Sequence, residues 1–177
     1  QKQGLSQAQI DSVIALFSSG QLDDALAVAK KLTKGFPDNS LLHNITGACY
    51  AGLSKLDSAV QSYQKAIEID PNYAKAHYNL GNALNELAIM GFEHLDSSIK
   101  SYKKSIEIDP DYAEAHNNLG NVLKDLGQFN EAVSSYQNAI TLQPSYVQAH
   151  FSLGVVLFDL GEFDNAINSY EKAIEIN

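Results

Sequence analysis

Four prolines, at positions 37, 71, 110 and 144, constrain the fold more than any other feature, because each closes the same phrase. Ala59…Tyr63…Ala66…Pro71 returns as Ser98…Tyr102…Ser105…Pro110 and as Ala132…Tyr136…Ala139…Pro144, and Ala166…Tyr170…Ala173 begins a further copy that reaches Asn177. The steps from proline to proline are 34, 39 and 34 residues. A period in this range belongs to stacked repeats, in which no unit buries its own apolar face and neighbours cover one another. Such a chain offers a surface for holding something and shows no evident site for converting it.

One repeat, Ala113 to Pro144, defines the unit. Ala115, Leu119, Val122, Leu123 and Leu126 recur at helical spacing and form one apolar stripe. Gly127-Gln128 interrupts it, and Phe129, Ala132, Val133, Tyr136, Ala139 and Ile140 form a second. Pro144 ends that helix, since the residue before a proline is pushed out of helical geometry. The spacing predicts a helix, a tight turn and an antiparallel helix.

Small residues occupy two columns. Gly47, Gly81, Gly120 and Gly154 share one in the first helix; Ala25, Ala59, Ser98, Ala132 and Ala166 share another in the second. Helix axes about 8–10 Å apart leave room only for small side chains at the contact. Tyr63, Tyr102, Tyr136 and Tyr170 fill the space between units, and Tyr73, Tyr112 and Tyr146 follow the helix-ending prolines. These tyrosines read as packing, which leaves no aromatic platform for a ligand.

Glycine, small residue, aromatic, small residue and proline at this period resemble the tetratricopeptide repeat (TPR), most cleanly at Gly120, Ala132, Tyr136, Ala139 and Pro144. The stretch Ala115-His116-Asn117-Asn118-Leu119-Gly120-Asn121 is also similar to repeats that precede O-linked N-acetylglucosamine transferases and like bacterial enzymes. The resemblance implies an all-α, right-handed superhelical solenoid of five helix-turn-helix repeats, a single domain over 1–177. Its units are about 6–37, 38–71, 72–110 with a five-residue insertion, 111–144 and 145–177. The first unit departs from the pattern, with Val13 in the glycine column and Ala29 in the tyrosine column.

Composition excludes several classes. The net charge of −9 opposes nucleic-acid binding, which draws its affinity from cations that neutralise phosphates. All 12 basic residues are lysine, so no planar guanidinium fork is available to grip carboxylate or phosphate. No run approaches the roughly 18 apolar residues of a transmembrane helix, and no secretory signal pattern is present, so insertion in a membrane is not expected and a cytoplasmic location is. The chain opens at Gln1 without an initiator Met, which leaves room for a removed leader, and we expect it to be a piece of a longer protein. The lone Cys49 shares a column with Ala15, Ala83, Val122 and Val156, so it reads as a small buried filler.

His43, His77, His116 and His150 also share a column, one per repeat. A shared metal needs ligands about 2 Å from one centre, whereas successive hairpins stand about 8–10 Å apart. The column therefore reads as structural, with no metal or other cofactor expected. No phosphate loop, nucleophile elbow or carboxylate pair stands at a catalytic spacing, and we expect no enzymatic activity.

In the family the first helix of each pair lines the concave groove. The resemblance places Lys75, Tyr78, Asn79, Asn82 and Glu86 there in the third repeat. It adds Glu114, Asn117, Asn118, Asn121 and Asp125 in the fourth, and Gln148, Phe151, Ser152 and Asp159 in the fifth. Asparagine amides both donate and accept, as the backbone of an extended peptide requires, and asparagine is a poor helix former. A solvated polar face and a ladder for peptide backbone both remain open.

The family's carboxylate clamp needs basic residues beside its amides. Asn82 and Asn118 match the amides, but Tyr78, Gln148 and Ser152 stand at the basic positions, and Glu86, Asp125 and Asp159 would repel a carboxylate. The expected partner is thus a protein or extended peptide, neutral or basic, held by a non-catalytic scaffold. A substrate-recruiting arm of a larger glycosyltransferase-like enzyme and a self-assembling module remain as alternatives. The latter would act by homo-association through uncapped terminal repeats, since Phe163, Ile167, Ile174 and Ile176 expect a further repeat.

The third repeat carries Ala88-Ile89-Met90-Gly91-Phe92-Glu93-His94 where the fourth has Gly127-Gln128. Apolar residues keep helical phase through this insertion. We expect the first helix to extend by about a turn and reverse near Gly91, leaving Met90 or Phe92 as an exposed knob. The alternative is one fused rod that opens the stack for exchange between chains.

Overall fold

The computed structural model describes residues 4–89, 91 and 94–176. The described residues hold ten helices and no strand. They fall into two compact units, residues 1–94 and 95–177. The first contains α1 (Gln7–Ser18), α2 (Leu22–Gly35), α3 (Ser40–Gly52), α4 (Leu56–Ile69) and α5 (Ala74–Ala88). The second contains α6 (Leu95–Ile108), α7 (Ala113–Asp125), α8 (Phe129–Leu142), α9 (Val147–Asp159) and α10 (Phe163–Ile176). Within each unit every helix packs on the next in sequence, and alternate helices also touch, α3 on α5 and α7 on α9.

The hairpin turns share one mechanism. Gly127 adopts φ 74°, the left-handed region in which a side chain would be strained, and the Gln128 amide reaches back to the Leu123 carbonyl at 2.9 Å. This bond satisfies a carbonyl that the last turn of a helix leaves without a partner. Gly20 and Gly161 repeat the conformation, and Ser54 does so at φ 55° without the benefit of a glycine.

At the matching position of the third repeat stands Ala88, and there the first helix runs on. α5 has 15 residues against 13 for α3, α7 and α9. Ile89 is its C-cap, 83% exposed, and the Gly91 amide bonds the Ala88 carbonyl at 3.0 Å. Gly91 lies outside any helix, and α6 begins at Leu95. The expected apolar knob at Met90 or Phe92 lies outside the described residues.

Both units bury their small columns completely. Ala25, Ala59, Ala132 and Ser98 are 0% exposed. Tyr63, Tyr102 and Tyr136 are buried beside them. The last helix differs: Phe163, Ile167 and Ile174 on α10 are 57%, 55% and 75% exposed. The residues matching Ile167 and Ile174 in α4 and α8 (Val60, Ile67, Val133 and Ile140) are half-buried. The outer turns of α1 instead carry exposed Gln7, Gln9, Asp11 and Ser12, and a Ser6–Gln9 capping box starts the helix.

Candidate functional site

The histidine column has a defined task. Nε2 of His43, His77, His116 and His150 lies 2.8, 3.0, 3.1 and 2.9 Å from the carbonyl oxygens of Pro37, Pro71, Pro110 and Pro144. A carbonyl only accepts, so each Nε2 carries the proton and donates it. The ring pins the inter-repeat turn to the first turn of the next helix. Sequence spacing placed these residues at a packing position; the constant six-residue offset from each proline was the signal for this bond. Among the described residues no three His, Cys, Asp or Glu side chains gather as a metal would need, and no helix is long and apolar enough to cross a membrane.

In the first unit, Asn79 on α5 donates from Nδ2 to Oδ1 of Asn44 on α3 at 2.9 Å. Asn44, 5% exposed, in turn faces the Tyr73 hydroxyl at 3.4 Å. Burial raises the Tyr73 phenol above its ordinary range, the bond to Asn44 opposes this, and Asp70 adds to it. Asn79 therefore spends one of its two amide N–H donors on the fold. Asn44 was not anticipated as part of this network, because its column reads Asn44, Tyr78, Asn117, Phe151 and shows no common chemistry. Tyr78 and Asn82 are half-buried on α5, and Lys75 and Glu86 are exposed.

In the second unit, Tyr136 on α8 is the anchor. Its ring is fully buried and its hydroxyl donates to Oδ1 of Asn121 on α7 at 2.9 Å. Burial drives its acidity down, Ser152 on α9 bonds the same hydroxyl and works the other way, and Asp125 reinforces the burial. Two expected groove residues, Asn121 and Ser152, thus meet on one tyrosine that sequence reading assigned to packing alone. This bond occupies the Asn121 oxygen and fixes the side of the amide on which its NH2 group lies. Asn117 is only 4% exposed. It donates to Oδ1 of Asn118 at 3.1 Å, while its own Oδ1 is buried without a partner. Asn117 thus belongs to the interior, although sequence reading set it on the groove. Asn118 is half-buried; Glu114, Asp125, Gln148 and Asp159 are exposed, and Lys124 pairs with Asp125 at 2.9 Å.

Phe151 is 56% exposed on α9, with its ring 5.6 Å from that of Tyr170. These two, with Val147, Gln148, Ser152, Ala173 and Ile174, line a hollow of about 660 Å³. Phe151, Gln148 and Ser152 were legible as surface residues of the first helix. Tyr170, Ala173 and Ile174 were not, because α10 brings them to the hollow only through its pairing with α9, whose first residue Val147 completes the lining.

Comparison with known proteins agrees with this architecture. Models of the TPR repeat match residues 47–87, 94–127 and 120–161, and a tetratricopeptide repeat model matches 147–177. A peroxisomal targeting signal receptor of Candida albicans is 31% identical over 68 residues, 38% of this chain and 12% of that receptor. This chain thus matches only a small part of that relative's length. The crystal structure of MamA superposes with a TM-score of 0.81 at 26% identity, covering 92% of each chain. YrrB, described as a TPR protein with an unusual peptide-binding site, shares the fold with a TM-score of 0.75 at 21% identity, over 98% of this chain and 87% of its own. Repeated helical hairpins, the Gly–Tyr column and these matches give a scaffold of a kind consistent with protein–protein interaction. The chain belongs to the tetratricopeptide repeat family.

Proposed function

We propose that the chain is a non-catalytic scaffold that binds an extended protein segment, neutral or basic, along the α7 and α9 faces, with α5 carrying a further face of the same kind. The observation that carries this reading is the hollow beside Phe151. An exposed aromatic ring backed by Tyr170 and Ile174 and edged by Gln148 and Ser152 suits one apolar side chain of a ligand, with polar groups alongside for its backbone. Asn121, oriented by Tyr136, supplies a donor for a peptide carbonyl. Exposed Glu114, Asp125 and Asp159 favour a neutral or basic segment over an acidic one. A relative named as a receptor for a targeting signal and a fold neighbour named for its peptide-binding site support the class of function, without naming the ligand.

The test is an array of immobilised peptides of varied charge, probed with the intact chain and followed by titration of the best binder. Neutral or basic peptides with one large apolar residue are expected to be retained. Phe151→Ala should weaken the best of them about tenfold, or ~1.4 kcal/mol, and an Asn79→Ala/Asn118→Ala variant should weaken backbone-dependent binding. Binding that requires a free C-terminal carboxylate, or that is indifferent to Phe151→Ala, would overturn the reading.

A further inference from the structure

A groove in the first unit breaks the repeat pattern. Lys30, Thr33 and Lys34 of α2, Thr46 and Tyr50 of α3 and Ser62 of α4 are among the residues that line about 680 Å³ of space. At the matching positions of the second unit stand Gln137, Ile140, Thr141, Leu153 and Leu157. The α8–α9 pair is thus built with aliphatic residues in place of Thr33, Thr46 and Tyr50 and with neutral residues in place of Lys30 and Lys34; α6 keeps a lysine, Lys103, in the Lys30 column. Packing alone does not call for the exchange.

The lysines are also out of keeping with their surroundings. On the other second helices Lys65, Lys104 and Lys172 each pair with a glutamate three residues on, at 2.9, 2.7 and 2.6 Å. Lys30, Lys31 and Lys34 have no such partner, and Lys30 and Lys34 are like charges one turn apart on a helix, which is unfavourable in itself. Lys34 complements the C-terminal end of α2; that accounts for one of the three. α6 carries a comparable group, Lys100, Lys103 and Lys104, of which Lys104 pairs with Glu107; on α2 none of the three lysines has a glutamate three residues on, and the mutual repulsion is a local cost.

The floor defines the rest of the ligand. Thr33 donates to the Ala29 carbonyl and Thr46 to the Leu42 carbonyl, at 2.9 and 2.8 Å, and their oxygens lie 3.2 Å apart. Protons committed to these carbonyls are not offered to a ligand, and the Tyr50 side chain lines the groove beside the two threonines. The lysines span about 6 Å along the helix axis, at 1.5 Å per residue. We infer that this groove docks a short acidic peptide segment, its carboxylates on Lys30, Lys31 and Lys34 and one apolar or aromatic side chain against Tyr50, Thr33 and Thr46. It lies on a different side of α3 from Asn44 and does not rest on the peptide reading above.

Fluorescence anisotropy of a labelled Glu-Glu-Phe-Glu-Glu peptide with the intact chain tests the proposal. Binding is expected, and it should weaken when Gln replaces each Glu or Ala replaces Phe in the probe, and when salt is raised to about 0.5 M. Lys30→Gln/Lys31→Gln/Lys34→Gln should reduce affinity about tenfold or more. Thr33→Ile/Thr46→Leu/Tyr50→Leu, which installs the second unit's residues and keeps every lysine, should reduce it as well, with circular dichroism confirming that both variants stay helical. Absence of binding, equal binding by the charge variant, or full binding by the filled-groove variant would overturn the assignment. So would displacement by millimolar inorganic phosphate, which would show that the lysines accept any anion.

Discussion

Gly120 lies so close to the Tyr136 ring that a Cβ on it would stand 2.7 Å from Cε1 and 2.8 Å from Cδ1. Gly47 with Tyr63 and Gly154 with Tyr170 repeat the contact at 2.6 Å. Repeat 1 solves the same problem in the opposite way: Val13 and Ala29 occupy these two columns, both are completely buried, and both belong to one core cluster. Volume has moved from one helix to the other.

That exchange makes a prediction. Gly120→Val should destabilise the chain by about 1–3 kcal/mol through overpacking, and Tyr136→Ala by about 3–5 kcal/mol, as for other large-to-small changes at buried aromatics. The double variant recreates the Val13–Ala29 pair and should cost clearly less than the sum. Urea unfolding of the four proteins measures the coupling; strict additivity would contradict the account.

The histidines should matter as donors. His116→Leu removes the bond to the Pro110 carbonyl and should cost about 0.5–1.5 kcal/mol, with the helices retained. A chelator should leave the melting temperature of the unmodified chain unchanged. A chelator-dependent drop would assign the column to a metal instead.

Ser54 holds φ 55° where the first, fourth and fifth repeats use glycine. A left-handed conformation costs a residue with a Cβ roughly 1–2 kcal/mol, so Ser54→Gly should raise stability by up to about 1 kcal/mol once the greater backbone entropy of glycine is subtracted. Gly127→Ala should act in the opposite sense. Thermal denaturation of both variants checks the pair.

Stability should fall at alkaline pH. Burial raises the pKa of Cys49, Tyr63 and Tyr136, making each a weaker acid, with Cys49 adding to the shift at Tyr63 and the Ser152 bond opposing it at Tyr136. A group whose folded value is raised binds its proton more tightly when folded, so its contribution is complete below the unfolded value and is lost as pH rises through the folded one. The window opens near pH 8.5 for the thiol and near 10 for the phenols, with a limiting slope of about 1.4 kcal/mol per pH unit for each group. Cys49→Val, the residue at the matching position in α7 and α9, should move the onset upward. An unchanged onset in guanidinium titrations across this range would count against the thiol.

The proline period, the two stripes per repeat and the glycine, alanine and tyrosine columns sufficed to predict ten helices in paired order, because these depend on residue spacing along one chain. The departure at Ala88 was legible for a related reason: a strong helix former at a position that elsewhere takes the left-handed conformation lets α5 run on. The site was only partly legible. Asn79, Asn118, Asn121, Phe151 and Ser152 could be placed on the first helices from their register, since register fixes the side of a helix a residue occupies. Which of their atoms remain available could not be read, because that depends on partners in other helices. Asn44 takes one donor of Asn79, Tyr136 takes the oxygen of Asn121, and Asn117 is drawn into the interior. Hydrogen-bond capacity is divided by packing across the chain; sequence spacing carries the faces, and only the tertiary structure decides which polar atoms are left for a partner.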